Sequence, residues 1–434
     1  MDRRDLSRTA HAVGCSFLAA VLALAAGGAE ALVIKTWDGP GTRAGANDTA
    51  PDDDPGFHNT SFGESGVSKA GIYLGDQWVL TANHVGAGTI SLPGGNYDMI
   101  PGTSITLTNP SSFNGQSLTS FSDLRMFRVK PHATTGLTPE EQDSAVIPNL
   151  VLADRTPNSS EELLMIGVGN RRTLNQSDPN GQTQFGSDWG FVQSSERRRV
   201  WGTNKLNHPS SVPGVVRSGN NLWINTGFND QLGYVTRFDR GLNSAGQPIS
   251  DGSLPDEAQG AAGDSGGPVF FKDDDQWVLS GVLTAVYLDN GQAGNVSLFG
   301  NHTAISDLSL DHYYNQIEAL RAQPEYSLIG DLDLDGSITG EIINGEATGD
   351  LAALVDGWLM ESASANVHTW MRGDLNQDGI TDLADFALMR DALGGTISTS
   401  SFAALVGGAI PEPGTASLVC LALAALAGAR RRRG

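Results

Sequence analysis

The sequence predicts a mainly β protein of antiparallel barrel architecture, closed by a helix and followed by a small helical unit. Three observations carry this reading. Short apolar segments recur through most of the 434 residues, Gly/Asn/Asp/Pro clusters separate them, and 54 glycines suit strands and turns better than helical bundles. Beyond residue 308 the apolar spacing lengthens from two toward 3.6. The chain also exceeds the length of one ordinary domain.

Taken in order, residues 1–31 read as a secretory leader. Arg3, Arg4 and Arg8 form a basic start, residues 13–26 an apolar run, and Ala29-Glu30-Ala31 a small-residue cleavage site. Residues 32–59 are rich in Asp, Gly, Pro and Asn, so loops are expected there with one short strand over 32–37. Segments 67–74 and 77–82 flank Gly75-Asp76 as a hairpin, and His84 follows just past a strand end. Further strands are expected at 104–108, 124–129, 163–168, 190–192, 199–201, 222–226 and 234–238. Segments 268–271 and 276–285 bracket a charged hairpin tip, Lys272-Asp273-Asp274-Asp275. Leu308, Leu310, Tyr313, Ile317 and Leu320 make 308–322 a helix.

The formal charge is −22, with Lys+Arg 27 against Asp+Glu 49, which argues against nucleic acid or an anionic membrane as the main partner. Cys15 and Cys420, the only cysteines, lie in end segments expected to be removed. Core packing rather than disulfides is therefore expected to hold the mature chain.

Two segments carry chemistry: Leu80-Thr81-Ala82-Asn83-His84-Val85 and Gly263-Asp264-Ser265-Gly266-Gly267-Pro268. A serine hydroxyl is a poor nucleophile near neutral pH unless a histidine takes its proton, and the tetrahedral oxyanion needs fixed N–H donors. Glycines beside Ser265 let the backbone approach a substrate closely. A third segment, Ser122-Asp123-Leu124-Arg125-Met126-Phe127-Arg128-Val129, lies between them.

The three segments resemble the Thr-Ala-Ala-His-Cys, Gly-Asp-Ser-Gly-Gly-Pro and Asp-(Ile/Leu)-Ala-Leu-Leu-x-Leu motifs of chymotrypsin-like (trypsin-family) serine peptidases, with His before Ser as that family requires. The resemblance implies a double antiparallel β-barrel over 32–327 with a terminal helix, a protein or peptide substrate, and no cofactor for catalysis. It implies Ser265 as nucleophile, His84 as base, and the N–H groups of Gly263 and Ser265 as oxyanion donors. Asp123 is the implied third member, with Asp98 and Asp143 as competitors. Val85 stands where the animal peptidases have cysteine, and Arg125 replaces a small residue.

In activated animal relatives the acid corresponding to Asp264 pairs with a freed N-terminal amine, yet no Arg-(Ile/Val)-Val-Gly-Gly site occurs near the start of this chain. Either an internal Arg or Lys serves Asp264, or the domain matures differently. The family alignment puts Gln259 at the base of the primary specificity pocket, six residues before Ser265, without the carboxylate that selects basic side chains. It also places Thr284 on the substrate-pairing strand and Val286 where glycine is common. Small or medium apolar side chains before the scissile bond are the expected preference.

Toward the C-terminus, Asp374, Asn376, Asp378, Asp382 and Asp385 occupy loop positions 1, 3, 5, 9 and 12, with Gly379 at 6 and Ile380 at 7. This is EF-hand spacing, and it points to Ca²⁺. Asp331, Asp333, Asp335 and Ser337 repeat the first half. Position 12 there holds Ile342, but a helix-start pattern resumes at Gly349, so an insertion is expected to deliver Asp350.

The duplicated loop-helix unit, residues 328–395, resembles a dockerin domain, which implies calcium-dependent attachment to a cohesin-like protein. A linker is expected at 396–410. Residues 411–434, with Pro411-Glu412-Pro413-Gly414, an apolar run and Arg430 to Arg433, resemble the PEP-CTERM sorting signal of exported bacterial proteins. That resemblance implies sorting and tail-processing machinery as partners, and a cell-surface or extracellular destination with transient membrane retention. The combined reading is an exported serine endopeptidase. The competing class is a non-enzymatic surface or matrix adhesion protein whose degenerate peptidase fold leaves binding to the dockerin-like module.

Overall fold

The computed structural model describes residues 21–23, 32–35, 47–61, 68–100, 103–143, 146–172, 182–185, 188–207, 216–243, 247–287, 296–322, 329–335, 337–362, 367–376 and 378–407. They fall into two units, Met1–Met99 with Thr103–Gln323, and Ile100–Gly102 with Pro324–Gly434. Both expected end segments, the leader over 1–31 apart from 21–23 and the tail over 411–434, lie outside the described residues. No described helix is long and apolar enough to cross a membrane.

In the first unit, β1 (Val21–Ala23) and β2 (Val33–Ile34) are short strands that pair with distant parts of the chain. β3 (Ile72–Gly75) and β4 (Trp78–Ala82) form the expected hairpin. Asp76 and Gln77 between them take φ of 48° and 65°, the left-handed pair whose twist matches the flanking strands. β5 (Ile90–Leu92) and β6 (Gly95–Tyr97) make a second hairpin. β7 (Ile105–Thr108) leads into a third, β8 (Ser112–Phe113) with β9 (Gln116–Ser117), and β10 (Phe121–Arg128) returns along β4 and β7. The ladders of this half give a four-stranded sheet, β3-β4-β10-β7, rather than a closed first barrel among the described residues.

After the short helix α1 (Pro139–Gln142) come β11 (Glu162–Gly167), β12 (Asn170–Arg172), β13 (Thr183–Phe185), β14 (Asp188–Arg197) and β15 (Val200–Asn207). They are followed by β16 (Arg217–Ser218), β17 (Asn221–Asn225), β18 (Asp230–Arg237), β19 (Ala258–Gln259), β20 (Pro268–Asp273), β21 (Gln276–Tyr287), β22 (Val296–Leu298) and β23 (His302–Asp307). Six of these close an antiparallel barrel. β21 pairs β20, β20 pairs β11, β11 pairs β15, β15 pairs β18, and β23 seals the ring by pairing both β18 and β21. Its apolar filling includes Leu163, Met165, Val200, Leu206, Tyr234, Val269, Phe271, Leu283 and Ile305.

The expected helix is α2 (Asp311–Arg321), and its apolar stripe is buried at Tyr313, Ile317 and Leu320. Those residues share one cluster with Leu80, Leu124 and Met126 of the sheet and Ile166, Phe270 and Val282 of the barrel. The Tyr313 hydroxyl donates to Asn109 Oδ1 at 2.5 Å and accepts from Leu232 N at 3.1 Å. One helix thus ties sheet to barrel, and the candidate site lies where the two meet.

The second unit contains the hairpin β24 (Ile342–Ile343) with β25 (Glu346–Ala347), then α3 (Gly349–Asp356), α4 (Val367–Met371), α5 (Leu383–Ala392) and α6 (Thr399–Leu405). The stretch expected as a linker at 396–410 instead contributes to this core. Ser398 caps α6 by accepting from Ser401 N, and Phe402 is buried with its ring 4.0 Å from that of Phe386. Its Ser/Thr-rich composition is a capping signal here.

In the first unit Glu257 is buried, with its carboxylate held by Leu254 N at 2.7 Å and Asp239 N at 3.2 Å. Burial pushes it up to about 8. Between its ordinary value and 8 the folded chain holds a proton that the unfolded chain has released, so this group's contribution falls as pH rises through that window. Glu257→Gln should therefore raise the melting temperature at pH 8 and have little effect near pH 5, read by thermal melts across that range. An equal effect at both pH values would refute the assignment.

Candidate active site

β4 ends at Ala82, which pairs with Leu124 of β10. The ladder runs one step further, with Asn83 N donating to Asp123 O at 3.0 Å, and this register sets His84 beside Asp123. Both carboxylate oxygens are engaged. Asp123 Oδ2 lies 2.8 Å from His84 Nδ1, and Oδ1 accepts from the His84 backbone N–H at 3.0 Å. A carboxylate can only accept, so Nδ1 carries the hydrogen and Nε2 of the neutral ring is left as the acceptor. Asp123 is fully buried, the His84 side chain is 2% exposed, and Nε2 is buried with no hydrogen-bond partner among the described residues. Neither competitor reaches this position: Asp98 accepts from Thr89 Oγ1, and Asp143 is the C-cap of α1.

The serine lies on the turn between β19 and β20. Gly266 has φ of 91°, and a Cβ there would meet Thr81 Oγ1 at 2.5 Å and Ala70 O at 3.0 Å. Only glycine permits both the backbone angle and the approach. The residue after Ser265 is thereby pressed against the strand that delivers His84. Bonds from Gly266 N to Leu283 O and from Leu283 N to Gly267 O, both 2.9 Å, lock the turn onto β21. The Ser265 hydroxyl points to Thr284 O at 3.4 Å, a long contact, rather than to Nε2. Among the described residues the N–H groups of Gly263 and Ser265 donate to no protein acceptor.

Asp264 faces away into the core. Its carboxylate accepts from Ala261 N at 2.7 Å and Gly169 N at 2.9 Å. A Cβ on Gly167 would meet both Asp264 Oδ1, at 2.2 Å, and Leu32 Cγ, at 2.7 Å, so Leu32 packs beside this acid. Backbone donors therefore satisfy part of the need expected of an Arg or Lys.

The expected pocket residues divide. Gln259 is buried in β19, and both its amide oxygen and nitrogen lack partners among the described residues. Thr284 lies on β21 next to the serine turn. Its hydroxyl turns into the barrel, bonded to Gln231 Nε2 and donating to Ala304 O at 3.2 Å, so only its carbonyl reaches Ser265. Val286 pairs with Thr303 on one side and Leu22 of β1 on the other.

Two contributors escaped sequence reasoning. Arg125 braces the residue before His84, donating from Nε to Asn83 Oδ1 at 2.9 Å, from Nη1 to Ser104 Oγ at 2.5 Å and from Nη2 to Thr106 Oγ1 at 2.9 Å. Its signal was its departure from the small residue of the motif. Phe228, on the turn between β17 and β18, stacks on His84 with centroids 5.2 Å apart and planes 10° apart. An isolated Phe in a polar turn gives no such signal.

In the second unit the Asp331, Asp333 and Asp335 carboxylates can present oxygens within 4.8 Å of one another. Asp350, at the start of α3, accepts from Leu332 N, Asp333 N and Thr339 N at 2.6, 3.2 and 2.7 Å. Asp385 does the same for the second loop, accepting from Asn376 N at 3.0 Å and Asp382 N at 2.8 Å. The β24–β25 hairpin lies between Thr339 and Asp350, so that Asp350, beyond the hairpin, closes back onto the first loop. In both loops the first aspartate accepts from the backbone of the fifth residue, Asp331 from Asp335 N and Asp374 from Asp378 N. Ser337 N and Ile380 N likewise donate to Asp335 and Asp378. Asp382 also caps α5 through Ala384 N. Burial, reinforced by the charges of Asp350 and Asp335, raises Asp333 above the usual carboxylate range, and burial raises Asp385. Hard oxygen donors converging in this way fit a divalent cation such as Ca²⁺.

No protein-family model matches the chain, and no curated protein matches it. Among solved structures, neuropsin, described as a serine protease expressed in the limbic system of mouse brain, is 15% identical over 58% of this chain and 88% of its own, with a TM-score of 0.33. A likeness that distant carries no argument about activity.

Proposed function

We propose that this chain is an exported serine endopeptidase, and the arrangement around His84 is the observation that carries the reading. A buried imidazole fixed by a carboxylate at Nδ1, with Nε2 unpartnered, is a base awaiting a proton. Ser265 is the donor of that proton and the nucleophile. As its Oγ attacks a peptide carbonyl, the proton passes to His84 Nε2, and Asp123 stabilises the imidazolium. The unpartnered N–H groups of Gly263 and Ser265 receive the oxyanion, each such donor being worth about 2.7–4 kcal/mol. His84 then protonates the leaving amine, and water repeats the sequence on the acyl-enzyme. The edge of β21 supports a peptide substrate, because it already accepts an extended antiparallel segment, Val21–Ala23 on Ala285–Tyr287.

In the second unit Ca²⁺ would be held by Asp331, Asp333, Asp335, Ser337 and Asp350 in one loop and by Asp374, Asn376, Asp378, Ile380, Asp382 and Asp385 in the other, supplying cross-links that fix loop to helix. Attachment to a cohesin-like protein and sorting to the cell surface complete the proposal.

Ser265→Ala should lower peptide cleavage by on the order of 10⁶-fold and abolish labelling by a serine-directed fluorophosphonate, while Asp123→Asn should cost roughly 10⁴-fold in kcat. A wild type that is neither labelled nor active on casein would favour the adhesion reading instead. With Gln259 in place of a carboxylate, a peptide-library profile should show small or medium apolar residues before the cleaved bond, and dominance of Arg or Lys would remove that assignment. Saturating Ca²⁺ should raise the unfolding free energy of the second unit, by about 2.7 kcal/mol for each occupied loop at a hundredfold excess over Kd. The gain should vanish in Asp331→Ala/Asp374→Ala, and an equal gain in that variant would contradict the site.

A further inference from the structure

We infer that Ile100 is a positioning residue for His84: its side chain belongs to the core of the second unit while the chain beside it braces the histidine, so Ca²⁺ held by that unit governs how well the base is ordered. The inference rests on the peptidase and calcium readings above and couples the two.

The second unit is not continuous in sequence. It takes in Ile100–Gly102, far ahead of its remainder, Pro324–Gly434. Ile100 is fully buried there, in one apolar cluster with Leu332, Leu334, Leu351, Trp370 and Leu375. Leu332 and Leu334 alternate with Asp331, Asp333 and Asp335, and Leu375 lies between Asp374 and Asn376. The residues that line the core around Ile100 are thus the immediate neighbours of the loop carboxylates. Trp370 Nε1 also donates to Asp331 O at 3.0 Å, tying the core to the first loop residue. Three aspartates able to bring oxygens within 4.8 Å of one another repel, and a bound cation offsets that repulsion and keeps the leucines between them in place.

On both sides of Ile100 the chain is fastened to the end of β10. Before it, Met99 bridges to Val129, and Lys130 N donates to Asp98 O at 2.7 Å. After it, Thr103 Oγ1 accepts from Arg128 N at 3.0 Å. Ser104 and Thr106 come next, and their hydroxyls accept from Nη1 and Nη2 of Arg125. Thr106 Oγ1 and Arg125 Nε both donate to Asn83 Oδ1, at 3.0 and 2.9 Å, and Asn83 directly precedes His84. A short run of chain therefore joins a side chain in the calcium unit's core to the hydroxyl that holds the neighbour of the base. If Ile100 leaves that core the run can shift, Asn83 loses its brace, and the imidazole samples orientations that do not serve proton transfer. Local order of this kind is an equilibrium, and a ligand that stabilises the ordered state shifts it.

The test uses the full chain, with saturating Ca²⁺ or with a chelator, and reads both amide hydrogen exchange over 103–108 and kcat/KM on a casein peptide. In the wild type Ca²⁺ should slow that exchange and raise kcat/KM by on the order of 5–10-fold, a usual size for coupling between distinct sites. Ile100→Ala should hold both readouts at their calcium-free values although calorimetric titration shows the ion bound, and Ile100→Val, which keeps a branched apolar group, should restore the response. If Ile100→Ala takes up no ion, Thr106→Val decides: it cuts the run at its other end within the first unit and should abolish the calcium ratio in kcat/KM. An Ile100→Ala or Thr106→Val that lowers kcat/KM alike with and without Ca²⁺, leaving the ratio intact, marks a merely structural role and overturns the inference. So does a wild type that binds Ca²⁺ and is labelled by a fluorophosphonate yet shows neither response, and that result spares both earlier readings. A wild type that binds no Ca²⁺, or is neither labelled nor active, brings down the inference together with the reading that failed.

Discussion

The two-point grip of Asp123 on His84 is the constraint from which the rest of the first unit takes its meaning. A carboxylate removed from water is costly unless its lone pairs are filled, and here one oxygen takes the ring Nδ1–H and the other the backbone N–H of the same residue. The histidine is therefore oriented twice, once by its main chain and once by its ring. The β4–β10 ladder supplies the register, and Arg125 ties the intervening Asn83 to Ser104 and Thr106, so the strand end cannot drift. Nε2 is then the one imidazole atom with something left to do.

Against this fixed imidazole the barrel brings a turn rather than a side chain. Gly266 packs on Thr81, the turn is bonded to β21, and Asp264 is gripped from below by Ala261 and Gly169. These contacts fix the turn around Ser265, where the N–H groups of Gly263 and Ser265 donate to no protein acceptor among the described residues. α2 and its Tyr313 hydroxyl hold the sheet and barrel in one core, and the Ser265 turn of the barrel packs through Gly266 against Thr81 of the strand that leads to His84.

Much of this was legible in the sequence where local physics dictates the answer. The hairpin tips Asp76-Gln77 and Asp274-Asp275 adopt paired left-handed angles, α2 shows its helical stripe, and the segments around His84 and Asp123 pair as neighbours while the turn after Ser265 packs on Thr81. What sequence reading missed depends on long-range packing. β23, which seals the barrel, reads as polar because His302-Thr303 and Ser306-Asp307 flank only two apolar residues with no alternation, and its partner β18 lies far away in the chain. The alignment placed Thr284 on the substrate-pairing strand without its side-chain direction, which depends on Gln231, 53 residues earlier, drawing the hydroxyl into the barrel. Ser398 and Phe402 looked like linker composition until a cap and a buried ring gave them a place in the second unit.

The central claim is that His84 and Ser265 act on one substrate atom set, and affinity alkylation addresses it directly. A peptidyl chloromethyl ketone carries a carbonyl for the serine and an alkylating carbon for a nearby imidazole, so both groups must be within reach of one bound peptide. Mass spectrometry of the treated protein should find a single modified histidine among the eight, His84, with the modification lost in Ser265→Ala. Alkylation spread over other histidines, or undiminished when the serine is removed, would contradict the account.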